Sequence, residues 1–339
     1  MRYIFFFIAG LYALFASALV AQDWEEKSLF TAEEPTRILR VLSSTDTSFF
    51  APIIESFLAQ NPQTSVEYLV TSTSNLDDFF RKNPSQFDVV ISSAMDLQLK
   101  LANDGYAAKT TGIALPDWAD WRSSLFAFTS EPAAIVINRA AFKGKRLPQT
   151  RQDLILALRA RPDIFHGKIG TYDVRSSGLG YLFATQDARN SETFWRLMEV
   201  MGSLDTKLYC CSGEMIDDLA SGKLAVAYNV LGSYAAARSD TGDALQIILP
   251  SDFPTTMMRT AFVSRDSQHI EHAKNFLRHL ISLQSAPIDK EVFMLPPLST
   301  EQGTARQSTI GLGPELLTYL DQLKRQTFLS EWVSAIIQK

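Results

Sequence analysis

From residue 37 onward, short runs of β-branched and aromatic residues alternate with longer amphipathic ones. "ILRVLSS" (38–44) precedes "SFFAPIIESFLAQNP" (48–62), "SVEYLV" (65–70) precedes "NLDDFFRK" (75–82), and "FDVVISS" (87–93) precedes "AMDLQLKLANDGYA" (94–107). Apolar run, polar loop and helical period, three times in succession, predict the strands and helices of a parallel α/β sheet. Ligands of such sheets sit beyond the carboxyl ends of the strands. Those ends here are hydroxyl-rich: Ser43-Ser44-Thr45-Asp46-Thr47, Thr71-Ser72-Thr73-Ser74-Asn75 and Ser92-Ser93.

The long β-like stretch "SSLFAFTSEPAAIVINR" (123–139) interrupts the pattern, and a second strand and helix series follows it. That series contains "TRQDLILALRARP" (150–162), "GKIGTYD" (167–173), a helix after Ser177, "SETFWRLMEVMG" (191–202), "GEMIDDLASG" (213–222) and "KLAVAYNV" (223–230). A chain that crosses once in its middle and then builds a new series makes two lobes, and "LQIILP" (245–250) and "RTAFVS" (259–264) read as the return to the first. The resulting division is residues 37–129 with 250–339 for lobe 1 and 130–249 for lobe 2. Residues 23–36 read as a polar leader.

The first residues, "MRYIFFFIAGLYALFASALVAQ", place Arg2 before an uncharged apolar stretch that ends in small residues. This is the layout of a secretory signal peptide over residues 1–21, with cleavage after Ala18 or after Ala21, and it implies export to the periplasm. What remains exceeds the size one hydrophobic core usually serves, which again favours two lobes. With 32 Lys and Arg against 37 Asp and Glu, the chain carries a formal charge of −5. Its basic residues are scattered, so no nucleic-acid surface is expected.

The two cysteines are neighbours, Cys210 and Cys211. An oxidising compartment favours a ring between them, the alternative being two buried thiols. The four histidines lie far from both in sequence, and no metal site is expected. Phosphate-loop, nucleophile-elbow and zinc-protease motifs are absent, and no Ser or Cys has a His close in sequence. The chain reads as a binder, not an enzyme, and without a cofactor.

The most suggestive short stretch is "TYDVRSSGLGYLFA" (171–184). Arg175, Ser176, Ser177 and Gly178 offer a guanidinium, two hydroxyls and backbone N–H groups at a helix start, which is the equipment of an anion site. Ser44, Thr45, Ser72 and Ser93 are the candidate contacts from the first lobe, and Tyr228 a candidate for closing the site. Arg122 and Arg259 are further cations of undetermined role.

Three stretches, "SSAMDLQLKLANDGYA" (92–107), "TYDVRSSGLGYLFATQDA" (171–188) and "LYCCSGEMIDDLASGKLAVAYNVLGSYA" (208–235), together resemble the periplasmic substrate-binding proteins of ABC importers. The branch they resemble is the ferric-iron, sugar-phosphate and phosphoglycerate group. The resemblance implies a two-lobed periplasmic-binding-protein fold of type II with a hinge between α/β lobes. It also implies capture of a small organic anion, in particular a phosphorylated one, by a monomer and delivery to a membrane permease. Iron binders of the group carry two adjacent tyrosines after the strand that here reads "KLAVAY", whereas this chain has single tyrosines at Tyr228 and Tyr234. Ferric iron as the ligand, or docking on a membrane histidine kinase instead of a permease, are the alternative readings.

Overall fold

The computed structural model describes residues 24–238, 244–284, 287–299 and 308–338. The expected signal peptide lies outside these residues.

Thirteen strands among the described residues divide between two sheets. They are β1 (Glu26–Phe30), β2 (Arg37–Ser43), β3 (Thr64–Val70), β4 (Val89–Ser92), β5 (Asp120–Trp121), β6 (Leu125–Ala127), β7 (Glu131–Asn138), β8 (Ile169–Tyr172), β9 (Lys207–Tyr209), β10 (Val226–Leu231), β11 (Leu245–Ile248), β12 (Thr256–Met257) and β13 (Thr260–Val263). The first sheet has the order β1-β3-β2-β4-β13-β6-β5, the second β11-β7-β10-β8-β9 with β12 also on β7.

Each sheet has a parallel centre and antiparallel additions. β2 lies parallel between β3 and β4, and β8 pairs in parallel with β9 and β10. β1 joins β3, β13 joins β4 and β6, and β7 joins β10, all antiparallel. The sheets are therefore mixed, not purely parallel as the alternation alone suggests. Direct crossovers through helices supply the parallel strands, whereas strands arriving from the other lobe enter in the opposite sense.

The crossover helices follow the amphipathic runs. In the first lobe they are α1 (Thr47–Gln60), α2 (Thr73–Lys82) and α3 (Met95–Asn103). In the second they are α4 (Arg151–Ala160), the short α5 (Pro162–Phe165), α6 (Gly178–Asn190), α7 (Thr193–Ser203), α8 (Ser212–Ala220) and α9 (Gly232–Ala236). Side-chain caps set several of the starts. Ser72 accepts from the Asn75 N–H at 3.3 Å, Thr150 from Asp153 at 3.0 Å and Ser177 from Gly180 at 3.2 Å, each satisfying a helix donor that would otherwise lack a partner.

Among the described residues, the α-helices α10 (Ile270–Ser282) and α11 (Gln322–Ile336) follow the last strand. α10 packs on the first sheet, where Phe276, Leu277 and Leu280 join Phe50, Ile53 and Phe57 of α1 in one core. α11 does not. Its buried Phe328, Trp332 and Ile336 belong to the core of the second lobe with Phe194, Leu197 and Met201 of α7.

This corrects the expected division at two points and the expected return at a third. The terminal part of 250–339 belongs to lobe 2 because its apolar face is completed by α7. β12 stays with lobe 2 through its pairing with β7, in which Thr256 faces Pro132. "LQIILP" likewise does not return, since β11 pairs antiparallel with β7. A fourth correction concerns the leader: residues 26–30 form β1, an edge strand whose partner β3 is far away in sequence, so its short polar alternation is not interpretable locally.

Trp332 is among the largest fully buried side chains, at 1% exposure. Trp332→Ala is expected to destabilise the protein by about 3–5 kcal/mol through lost burial and the cavity left behind, measured by urea unfolding. A change below about 1 kcal/mol would show that α11 is not part of the second core.

Candidate functional site

In both lobes the carboxyl ends of the parallel strands face the gap between them, and a helix starts at each. β2 leads to α1, β3 to α2, β4 to α3, β8 to α6 and β9 to α8. Between these ends lies a cavity of about 410 Å³. Ser44, Asp46, Ser72, Thr73, Ser93 and Arg259 line it from the first lobe and the crossing strands. Tyr172, Ser177, Leu179, Ser212, Glu214, Leu231 and Tyr234 line it from the second.

The lobes touch around this cavity. Thr73 Oγ1 accepts from the backbone N–H of Gly178 at 2.8 Å and of Leu179 at 3.3 Å, and Ser74 Oγ donates to the Ser176 carbonyl. Tyr234 donates its hydroxyl to Asp46 at 3.1 Å. Gly178 permits the approach: a Cβ there would stand 3.0–3.1 Å from Leu97, Ala94 and Thr73.

At the crossing strands a fully buried ion pair ties the lobes. Arg259 Nε donates to Glu131 Oε1 at 2.6 Å and Nη2 to Oε2 at 3.2 Å, while Nη1 donates to Thr45 Oγ1 at 2.5 Å. Thr129 and Ser233 complete the shell by donating to Glu131 at 3.0 and 2.7 Å. Every charged oxygen and three guanidinium nitrogens thus have partners, the condition on which a buried pair is tolerated.

The sequence-predicted contacts separate into two groups. Ser44, Ser72, Ser93 and Ser177 do line the cavity, with much of their hydrogen-bonding taken up locally. Ser44 Oγ donates to Ser92 Oγ and accepts from the Ser93 N–H, both at 3.2 Å; Ser72 and Ser177 are helix caps. Thr45 lies behind the wall, buried against Arg259.

Arg175, Ser176, Gly178 and Tyr228 are not brought together at the cavity. The Arg175 fork closes on Asp173, two residues earlier, with Nε and Nη2 donating at 2.8 and 2.6 Å, and its side chain is 46% exposed. Ser176 is exposed, and the Gly178 N–H is taken by Thr73. Arg175, Ser176 and Gly178 border an adjacent cavity of about 320 Å³ with Asp77, Asp78, Asp96 and Arg325. Tyr228 is buried in the second core, where it donates to Asp187 at 2.6 Å and accepts from Arg151 at 2.7 Å. Arg122 stacks on Trp121 at 4.7 Å and does not reach the cavity.

The neighbouring cysteines are joined in a disulfide, which forms part of the cavity wall.

The lining also contains carboxylates that the sequence does not mark as contacts: Glu25, Glu26, Asp46, Glu214 and Asp217. Burial raises the pKa of Glu25, and Asp46, Glu214 and Glu26 raise it further by repulsion. Burial likewise raises Asp46, opposed by its hydrogen bond from Tyr234. Five carboxylates and a single guanidinium, itself balanced by Glu131, are the reverse of the anion site expected at Arg175. Among the described residues no group of three or more His, Cys, Asp or Glu is placed to hold a metal ion.

The geometry defines the class: two α/β lobes, joined by crossing strands, around an interlobe cavity at the helix starts. This is the fold of the periplasmic binding proteins, and solved structures that share it with the chain include a substrate-binding protein of an ABC transporter, iron-binding proteins and a two-component system protein. One, the substrate-binding protein of an ABC transporter from Agrobacterium tumefaciens, matches with a TM-score of 0.83 and 29% identity over 92% of this chain and 98% of that one. AfuA from Actinobacillus pleuropneumoniae, with fructose-6-phosphate bound, matches at 0.66 and 15% identity over 90% and 100%. Iron-bound HitA from Pseudomonas aeruginosa matches at 0.65 and 14% over 88% and 99%. No family model and no curated protein matches the chain.

Two outcomes follow from the buried charges. Arg259→Met leaves Glu131 uncompensated and is expected to cost about 3–5 kcal/mol, with Arg259→Met combined with Glu131→Leu recovering much of the loss; chemical unfolding of the three proteins checks this.

The second concerns Asp96, buried in the first turn of α3 with Oδ1 lacking a partner. Burial pushes its pKa up to about 7, against the pull of neighbouring N–H groups and Arg325. The folded state then holds a proton that the unfolded chain releases, so this contribution is present at low pH and lost as pH rises from the ordinary carboxyl range through about 7. Asp96→Asn is expected to raise the melting temperature at pH 8 by about 2–4 °C relative to wild type, and to leave it unchanged near pH 4. Equal effects at both pH values would contradict the assignment.

Proposed function

We propose that the chain is the solute-binding receptor of an ABC transporter, which captures a small molecule between its lobes and presents the closed form to a membrane permease. The carrying observation is the cavity of about 410 Å³ at the meeting of the two lobes. Its size is that of a small-molecule site, and it stands where α/β sheets hold ligands. The lobe-to-lobe bonds of Thr73 and Tyr234 describe a shut state, as expected of hinge closure around a ligand. The A. tumefaciens relative, a substrate-binding protein of an ABC transporter, supports the reading over nearly the whole chain. Periplasmic location and the signal peptide at residues 1–21 belong to the same proposal, supported by the sequence layout.

The test is thermal unfolding with small-molecule extracts of the source cells. A solute that binds only the folded form at about 100 times its dissociation constant adds about 2.7 kcal/mol, a rise of about 5 °C or more. Thr73→Trp places an indole where the lobes meet at Gly178 and is expected to weaken binding of that solute at least tenfold, read as the shift from the variant's own ligand-free melting temperature. Full stabilisation of the variant would argue against closure around the solute.

A further inference from the structure

Resting on the receptor reading, we propose that the solute is a small organic cation. Its charged nitrogen would sit among Glu25, Glu26, Asp46 and Glu214, with its apolar body against the wall formed by Leu179, Leu231 and the Cys210–Cys211 disulfide. The cavity is defined by the two lobes independently of its charge; the lining determines only what it accepts.

The formal charges set the sign. Arg259 is the single basic lining residue, and Glu131 holds it through two nitrogens. Asp217 pairs with Arg238 at the edge. Four carboxylates remain. Glu26 accepts from the Thr47 N–H at 2.8 Å, so the start of α1 already has its anion, and Glu214 occupies the first turn of α8. The starts of α2 and α6 are capped by Ser72 and Ser177. Even counting about half a positive charge at each of the five helix starts, the cavity stays negative.

The carboxylates also come from both sides of the gap. Glu25, Glu26 and Asp46 belong to the first lobe and Glu214 to the second. Closing the lobes without a counter-charge drives like charges together, and a bound cation removes that opposition. Ligand and closure are thereby coupled through the same four groups.

On the side of the second lobe the two aromatic hydroxyls are engaged. Tyr172 shares its hydroxyl hydrogen bond with Ser212 at 2.5 Å, and Tyr234 directs its own at Asp46. With Leu179, Leu231 and the disulfide beside them, this side suits the carbon body of the solute. The carboxylates do not converge as metal ligands, which favours an ammonium-type cation over a bare ion.

A small-molecule extract of the source cells, divided by ion exchange, supplies the probes. The cation-exchange-retained fraction is expected to raise the melting temperature of the ligand-stripped protein, and the anion-exchange-retained and unretained fractions are not. Glu25→Gln and Glu214→Gln, one from each lobe, are each expected to weaken binding of the active fraction at least tenfold. Asp78→Asn, outside this cavity, is expected to leave it unchanged.

Stabilisation confined to the anion-retained or unretained fraction overturns the cation while the receptor reading stands. Stabilisation by no fraction overturns both. Stabilisation by the cation fraction that survives both glutamine variants overturns the assignment of these carboxylates.

Discussion

The buried pair between Arg259 and Glu131 is the constraint around which the molecule is organised. Glu131 opens β7, the first strand of the second sheet, and Arg259 lies between β12 and β13, where the chain goes back. Two of the crossings between lobes are therefore fastened to each other by charge inside a fully buried shell. Neither group tolerates loss of the other in such surroundings. The third nitrogen of Arg259 reaches Thr45 at the carboxyl end of β2. One guanidinium thus sets the relation of the first sheet, the second sheet and the cavity floor.

From that anchor the cavity follows by sheet geometry. Parallel strands end on one edge, their helices begin there, and two such edges face each other across the crossing strands. Serines and threonines at these positions answer first to the backbone: Ser72 and Ser177 cap, and Ser44 braces the loop after β4. The charged residues among them divide: Glu26 braces the start of α1 and Asp46 accepts from Tyr234, while Glu25 faces other carboxylates. A half-buried carboxylate facing other carboxylates is a stabilising arrangement only when something positive stands between them.

The alternation of apolar runs made the lobes and most of the helices legible, because each strand–helix unit is written in consecutive residues. What was not legible required a distant partner. β1 finds β3 some forty residues on, and α11 completes its apolar face against α7 more than a hundred residues back. The same limit governs the site. The donors of Arg175 to Gly178 looked assembled for an anion, yet Asp173 and Thr73 take most of them. Asp173 stood in plain view two positions before Arg175, and its reach to a guanidinium at that spacing was the available warning. Glu25 and Glu26 were concealed by reading their strand as a leader, and Asp46 by counting its loop as hydroxyl-rich.

The placement of α11 has a practical reach. The first described strand belongs to one lobe and the last described helix to the other, so these two elements lie on opposite lobes. The proposed closure around a solute is then expected to change the distance between them. A pair of dyes fixed near residue 26 and residue 336 would convert each capture of solute into a change of energy transfer. The protein is in this sense already wired as an optical gauge of its own occupancy.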